Sequence, residues 1–292
     1  MERGAELCCW RIYTVKDKMS SKKVINYIEH GSYLENSDET QATINNLIAA
    51  IDPFLHKFNK NEKFLMLDVG CGDGTFTFSL INEIAKIVPE FGLLSIEPEA
   101  PAYKKFAEKA QKSNIRCIKH ENATIQQFLK DNLDQQEIFD LIMFSQSFYH
   151  LPMEEWGFII GQSDRLLKNG GLAAIILDSY GGEAYKLKDT ITEGKAVTLE
   201  FGDFYSAEDI EKFLKMKNVV FKSSSFPVQL FVKDDDKKLE NFSRQLAFLY
   251  RTYPELILPK YKEDVSGLLE KNKKDEKYYI ENLVKIVTFH KL

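Results

Sequence analysis

Apolar positions along the chain fall into short continuous runs separated by stretches with helical spacing. The run Phe64–Val69 ends at glycines, as a buried strand does, and residues 93–96, 115–118, 139–144 and 171–177 repeat the pattern. Between them, residues 76–84, 103–111, 125–129 and 154–167 read as helices. Strands alternating with helices predict βαβ units, whose strands lie parallel and covered on both faces. The expected fold is therefore a doubly wound α/β sheet. Upstream, Ser37 and Asp38 stand where they would cap a helix carrying Ile44, Leu47, Ile48 and Ile51, ended or kinked by Pro53. Downstream, Ser206-Ala-Glu-Asp209 resembles a capping box. Two β-like stretches flank Pro227 within 219–232, a helix carries Phe242, Phe248, Leu249 and Tyr250, and residues 283–289 form a last strand.

Composition narrows the class. In 292 residues, 44% are hydrophobic and 28% charged, with net charge −5 and acids and bases interspersed. No basic stripe suits a phosphate backbone, so nucleic acid is not expected as a partner. No apolar run nears the roughly 20 residues that span a bilayer, so no membrane partner is expected either. Cys8, Cys9, Cys71 and Cys117 form no CxxC pair, and the five histidines show no ligand spacing, so neither a disulfide framework nor a metal site is expected. Residues 1–18 read as a poorly ordered extension ahead of Met19. Residues 19–292 read as one cytoplasmic, monomeric domain, with a cofactor half at about 60–178. The run Asp234-Asp235-Asp236-Lys237-Lys238 reads as a solvated turn.

The chemistry concentrates after the first strand. Gly70-x-Gly72-x-Gly74 lies between Asp68 and Asp73, letting the chain turn sharply and a ligand lie against backbone. This is neither the GxGxxG of a dinucleotide site nor a Walker loop, which would carry a lysine. Carboxylates repel a pyrophosphate and suit a cationic cofactor. Glu97, at the end of the second strand, is placed to accept both ribose hydroxyls of a nucleoside.

These residues resemble the class I methyltransferases. LDVGCGDGT at 67–75 matches their first motif and IEP at 96–98 their second; residues 139–143 and 166–171 resemble the fourth strand and the turn into the fifth. The resemblance covers about residues 60–178. It implies a mostly parallel, seven-stranded, Rossmann-like sheet with helical additions over the site. It also implies S-adenosylmethionine as cofactor and S-adenosylhomocysteine as product. By the same resemblance, Asp68 or Gly70 lies near the methionine moiety, Glu97 holds the ribose, and Gly72 is also cofactor-binding. Thr124, or Asn122, falls near the adenine, and Ser145 joins the cofactor set.

A narrower similarity is to the histamine N-methyltransferases. His30-Gly31-Ser32-Tyr33 with Ser37-Asp38-Glu39-Thr40-Gln41, the segment 144–150 and the tail 281–284 carry it. It implies a small-molecule acceptor held by Glu39, Gln146, Tyr149 and Asn282. Glu39 suits a cation, the two amides suit an imidazole, and Tyr149 and Phe148 can stack on it. The chain departs from that family in its acidic glycine loop, in His150 in place of a second tyrosine, and in a shorter 33–39 linker. Methyl transfer from a sulfonium is an in-line displacement, so alignment and water exclusion are the main tasks and no residue is strictly required as catalyst. His150 is a candidate to take the departing proton. The absence of GxSxG leaves a nucleophilic hydrolase without support. An acceptor carboxylate, thiol or hydroxyl is the alternative, with Lys186 and Lys188 on its side, and a binding protein that has lost the chemistry is a third reading.

Overall fold

Five strands make the parallel part of one sheet: β1 (Phe64–Val69), β2 (Phe91–Ile96), β3 (Ile118–Glu121), β4 (Phe139–Ser145) and β5 (Leu167–Asp178). The computed structural model from which this is drawn describes residue 33 and residues 35–58, 63–88, 90–113, 118–192, 205–250 and 254–292. The extension 1–18, Met19, His30-Gly31-Ser32 and the expected start of a strand at 115 lie outside the described residues. The strand order is β3-β2-β1-β4-β5, continued antiparallel by β8 (Lys277–His290) and β6 (Lys222–Lys233), with the two-residue β7 (Lys273–Lys274) paired on β8. The expected seven-stranded, mostly parallel sheet is what forms, with β7 as a small addition.

Helices cover both faces, which is why β1 and β4 are buried almost throughout. On one face α1 (Glu39–Leu55), α2 (Thr75–Ile84) and α3 (Ala100–Lys112) set Ile44, Leu47, Leu80, Ile81 and Phe106 among Met66, Leu141 and Met143. On the other, α4 (Ile125–Asp131), α5 (Trp156–Leu166) and α7 (Ala207–Met216) set Phe128, Trp156, Ile159 and Ile210 over Leu67, Ile142 and Phe144. Between α5 and α7 in the chain comes α6 (Glu183–Thr192). With α8 (Lys238–Tyr250) and α9 (Pro254–Lys271) it builds a third core against the far ends of β6 and β8, around Phe242, Leu246, Tyr278 and Ile280. Among the described residues no helix is long and apolar enough to cross a membrane.

Several expectations are corrected. The third strand is described over Ile118–Glu121 and contains His120, which was expected after it; these four residues are all half-buried. The two stretches around Pro227 are one strand. The amides of Gln229 and Phe231 face outward, to the carboxylate of Asp38 and the carbonyl of Asn36. Pro227 has the same parity on this outer strand, so its missing N–H breaks no bond to β8. The helix expected at 154–167 starts at Trp156 after a short 3-10 turn, and Leu167 already belongs to β5. Helix α1 continues past Pro53 to Leu55.

Asp38 does not cap α1 with its side chain. Its carboxylate instead accepts the Gln229 amide at 2.6 Å, its own N–H donates to the Gln229 carbonyl at 3.2 Å, and the Ser37 hydroxyl accepts the Glu39 amide at 3.0 Å. The outer edge of β6 thus fixes where α1 begins. Asp38→Ala removes a hydrogen bond to a charged acceptor at an exposed position. It is expected to cost about 1 kcal/mol, a fall of about 3 °C in Tm measurable by calorimetry.

Candidate active site

Strand β1 lies between β2 and β4, so the strand order reverses there, and the crevice at the carboxyl ends of β1 and β4 is the ligand position of an open α/β sheet. The chain leaves β1 through Gly70 and Gly72, at φ +73° and +58°, a region costly for any residue with a Cβ. Gly70 is also needed for space: an added Cβ would lie 2.6 Å from Ser147 Cβ. Ser147 is held there because its hydroxyl donates to the Val69 carbonyl at 2.7 Å, tying the ends of β1 and β4. Over Gly72 an added Cβ would meet nothing within 4 Å, so open space lies against the loop backbone.

Glu97 holds that loop. The Gly72 amide donates to its Oε2 at 2.8 Å and the Glu99 amide to its Oε1 at 2.9 Å. Burial raises the carboxyl's pKa, against the pull of both amides. Each oxygen keeps further acceptor capacity, so the group can still receive hydroxyls. Asn122 donates to the carbonyls of Glu97 and Pro98 at 2.8 and 3.0 Å, and Thr124 caps α4 by accepting the Gln127 amide at 3.2 Å. Both residues expected at the adenine therefore also shape the turn that follows Glu97. Asp68 is 1% exposed and accepts the Thr77 hydroxyl at 2.6 Å, bracing β1 against α2; burial raises its carboxyl to about 7. His120 stacks on Tyr103 and Phe106, with ring centroids 4.3 and 4.0 Å apart, and burial lowers its pKa to about 4.

Three of the four expected acceptor residues lie in two carboxylate–amide pairs, Glu39 with Gln146 and Asn282 with Asp178. Glu39 opens α1, is 8% exposed, and accepts the Tyr33 hydroxyl on one oxygen and Gln146 Nε2, at 2.8 Å, on the other. Burial raises its pKa, while these two donors pull it down. Gln146 follows β4 at φ +48°, its amide donating to the Ile176 carbonyl at 2.9 Å and its Oε1 buried without a partner. Asn282, on β8, donates Nδ2 to Asp178 Oδ1 at 3.2 Å at the end of β5, and its own Oδ1 is buried without a partner. Tyr33 joins the pairs: burial raises its pKa first, and the charges of Glu39 and then Asp178 raise it further. A small cavity beside them is lined by Asp178, Asn282, Tyr185, Lys188, Leu249 and Tyr250.

The other expected residues stand elsewhere. Tyr149 packs on the core under α5 and against the His150 ring at 4.5 Å. His150 is exposed, Ser145 is half-buried at the end of β4, and Lys186 is exposed. Sequence reasoning passed over the roles of Tyr33, Asp178 and Gly182. Asp178 carried the same cue as Glu97, an acid at the carboxyl end of a parallel strand. Gly182 carried none: it is needed because a Cβ there would lie 1.8 Å from Asn282 Oδ1.

Comparison places this arrangement. Residues 67–173 match the family model of a methyltransferase domain. A presumed methyltransferase of Bacillus halodurans C-125 superposes with TM-score 0.52 at 13% identity, over 84% of this chain and 98% of that one. A presumed sarcosine dimethylglycine methyltransferase of Galdieria sulphuraria superposes with TM-score 0.52 at 14% identity, over 86% of each chain. At such identity the structures speak to the fold alone. No curated protein sequence matches the chain. The fold is class I, Rossmann-like, residues 67–173 are similar to a methyltransferase domain, and the cofactor is S-adenosylmethionine. The open backbone over Gly72 and the remaining acceptor capacity of Glu97 fit a nucleoside with free hydroxyls.

Two outcomes follow. Gly70→Ala, forced against Ser147, is expected to weaken S-adenosylhomocysteine binding by about tenfold or more, measured by titration calorimetry. The raised pKa of Asp68 sets a pH dependence: between its ordinary 3.8 and about 7 the folded protein keeps a proton the unfolded chain has lost. Its contribution to stability therefore falls as pH rises through that window and levels off above it. Asp68→Asn is expected to flatten this part of the Tm-versus-pH curve.

Proposed function

We propose that the chain transfers the methyl group of S-adenosylmethionine to a nitrogen of a small amine or imidazole, histamine being the first example to try. The observation that carries this reading is the Tyr33–Glu39–Gln146 cluster. It offers a carboxylate and an unpartnered amide oxygen, and buried acceptors of this kind require a donor. Gln146 is the chain neighbour of Ser147, which touches Gly70, so the cluster adjoins the cofactor loop.

The bound cofactor supplies an activated methyl on sulfur; the protein's work is alignment. Glu97 and the Gly70–Gly72 backbone would fix the nucleoside end. Gln146 Oε1 and Glu39 would accept the hydrogens of the acceptor nitrogen and so turn its lone pair toward the methyl carbon. S-adenosylmethionine would supply an electrophilic methyl carbon, and its sulfur would keep the electron pair of the bond given up as the nitrogen–carbon bond is made. The proton released from the methylated nitrogen passes to Glu39, whose raised pKa suits a base, or to water. His150, being exposed, is the weaker candidate for that proton.

A carboxylate, thiol or hydroxyl acceptor is the second reading, and Lys188 in the cavity wall is the observation that favours it. Transfer of labelled methyl to histamine and to a panel of amines, acids and thiols separates the two. Labelling of an amine, with kcat/KM reduced about a hundredfold in Glu39→Gln while S-adenosylhomocysteine binding is kept, is the expected result. Labelling confined to acids or thiols would overturn it.

A further inference from the structure

Large apolar side chains are unevenly exposed over the molecule. Among the described residues the two most exposed are Val220, at 88%, and Met216, at 68%, and both belong to the turn between α7 and β6. Local structure imposes this exposure. Helix α7 buries Ala207, Ile210 and Leu214, which leaves Met216 on its outer side. Beyond it, Asn218 takes a left-handed φ of +58°, and the Val219 amide donates back to the Leu214 carbonyl at 2.9 Å, a Schellman-type ending. Val219 is buried in the core, so its neighbour Val220 faces solvent as the chain becomes extended.

Charge is uneven in the same place. The chain has net charge −5, yet from Lys212 to Lys233 it carries five lysines and no acid. The acids of α7 lie nearer its start and are answered there, Glu208 and Glu211 by Lys285 and Asp209 by Ser206 and Lys212. In the turn, Lys217 lies 5.7 Å from the Phe213 ring centroid and Lys215 lies 5.9 Å from that of Phe221. Among the described residues no carboxylate pairs with Lys215, Lys217 or Lys222. The adjoining end of β8 brings the exposed His290, and Lys291, which pairs with Glu137. Lys222 stands opposite Thr288, and His290 opposite Leu172 near the start of β5, so this rim is the end of the sheet remote from the glycine loop.

We infer that the α7–β6 turn is a docking surface for an anionic lipid bilayer. Met216 and Val220 enter the headgroup layer, while Lys215, Lys217 and Lys222 meet the negative groups of the lipids. The expectation of no membrane partner rested on the absence of a span, which such a contact does not need. It gains from apolar area buried at the interface and from attraction between lysine and anionic lipid. A nucleic acid would engage the lysines and leave both apolar side chains in water, so the two features together favour a bilayer. Docked this way, the crevice at the carboxyl ends of β1 and β4 faces away from the membrane and stays open to a dissolved acceptor.

Vesicles of phosphatidylcholine, alone or with phosphatidylserine, test this by co-sedimentation with the protein. Wild type is expected to bind the vesicles that contain phosphatidylserine at least about tenfold more tightly. Lys215→Gln with Lys217→Gln is expected to weaken that binding about tenfold, and Val220→Ser about fivefold. Both variants are expected to keep wild-type affinity for S-adenosylhomocysteine, which reports an intact fold. Equal binding to the two kinds of vesicle, or binding to neither, overturns the inference, and so does binding that neither variant diminishes. Duplex DNA held more tightly than the vesicles, with Val220→Ser behaving as wild type, overturns it in favour of a nucleic acid.

Discussion

The hydrogen bond from the Gly72 amide to the Glu97 carboxylate is the tie on which the site depends. It joins a loop that follows β1 to a side chain that ends β2. Around it are the Glu99 amide on the other carboxylate oxygen, the Asn122 clasp on the Glu97 carbonyl and the Ser147 bond to Val69. Four strand ends are thereby fixed to one another by short polar contacts. A glycine loop alone would be free to sample many conformations, at an entropic cost on binding. Here the loop is held before any ligand arrives, which is what preorganisation means in physical terms.

The same edge buries four acids, Asp68, Glu97, Glu39 and Asp178, each less than a tenth exposed. Burying a carboxylate is expensive unless it is hydrogen-bonded. The bonds described above come from neutral groups: backbone amides, the Thr77 and Tyr33 hydroxyls and two side-chain amides. The neutral donors to Asp68, Glu97 and Glu39 satisfy their oxygens without cancelling their charge. Burial raises the pKa of Asp68, Glu97 and Glu39 together, and a ligand carrying positive charge would lower all three. A sulfonium cofactor and a protonated amine both bring that charge. An anionic acceptor would meet the opposite field over most of the edge, with Lys188 as its local counterweight.

Much of this was legible in the sequence, for identifiable reasons. β1, β2, β4 and β5 are buried on both faces, so they read as continuous apolar runs, and the glycines and Glu97 stand at their ends. β3 was read at 115–118, and its described part runs on through Lys119-His120-Glu121, which no apolar run marks because this edge strand has no fully buried position. β6 begins Lys-Ser-Ser-Ser and contains proline, so it read as two β-like stretches broken at Pro227, whereas it is one strand whose outer edge bonds the 36–38 segment. For the site, Glu39, Gln146 and Asn282 were named by resemblance, and hydrogen bonds bring Glu39 to Gln146 and Asn282 to Asp178. Tyr149 was named with them; it is half-buried, packs against the core and lies in neither pair. Similarity can carry a residue type to a position, but the direction of its side chain depends on packing that spacing does not record.

Gln146 shows why the chain after β4 is built as it is. A left-handed conformation at a residue with a side chain costs about 1 kcal/mol or more, and persists only where its surroundings impose it. Two bonds impose it here, from its amide to Ile176 and from its Nε2 to Glu39. They hold the chain turning away from β4 so that Ser147 follows at once against Gly70. A glycine at 146 would relieve the strain and lose the carbonyl oxygen, and an asparagine would be one methylene short of Glu39. The strain is thus tied to placing one acceptor oxygen beside the cofactor loop, where only an incoming donor can satisfy it.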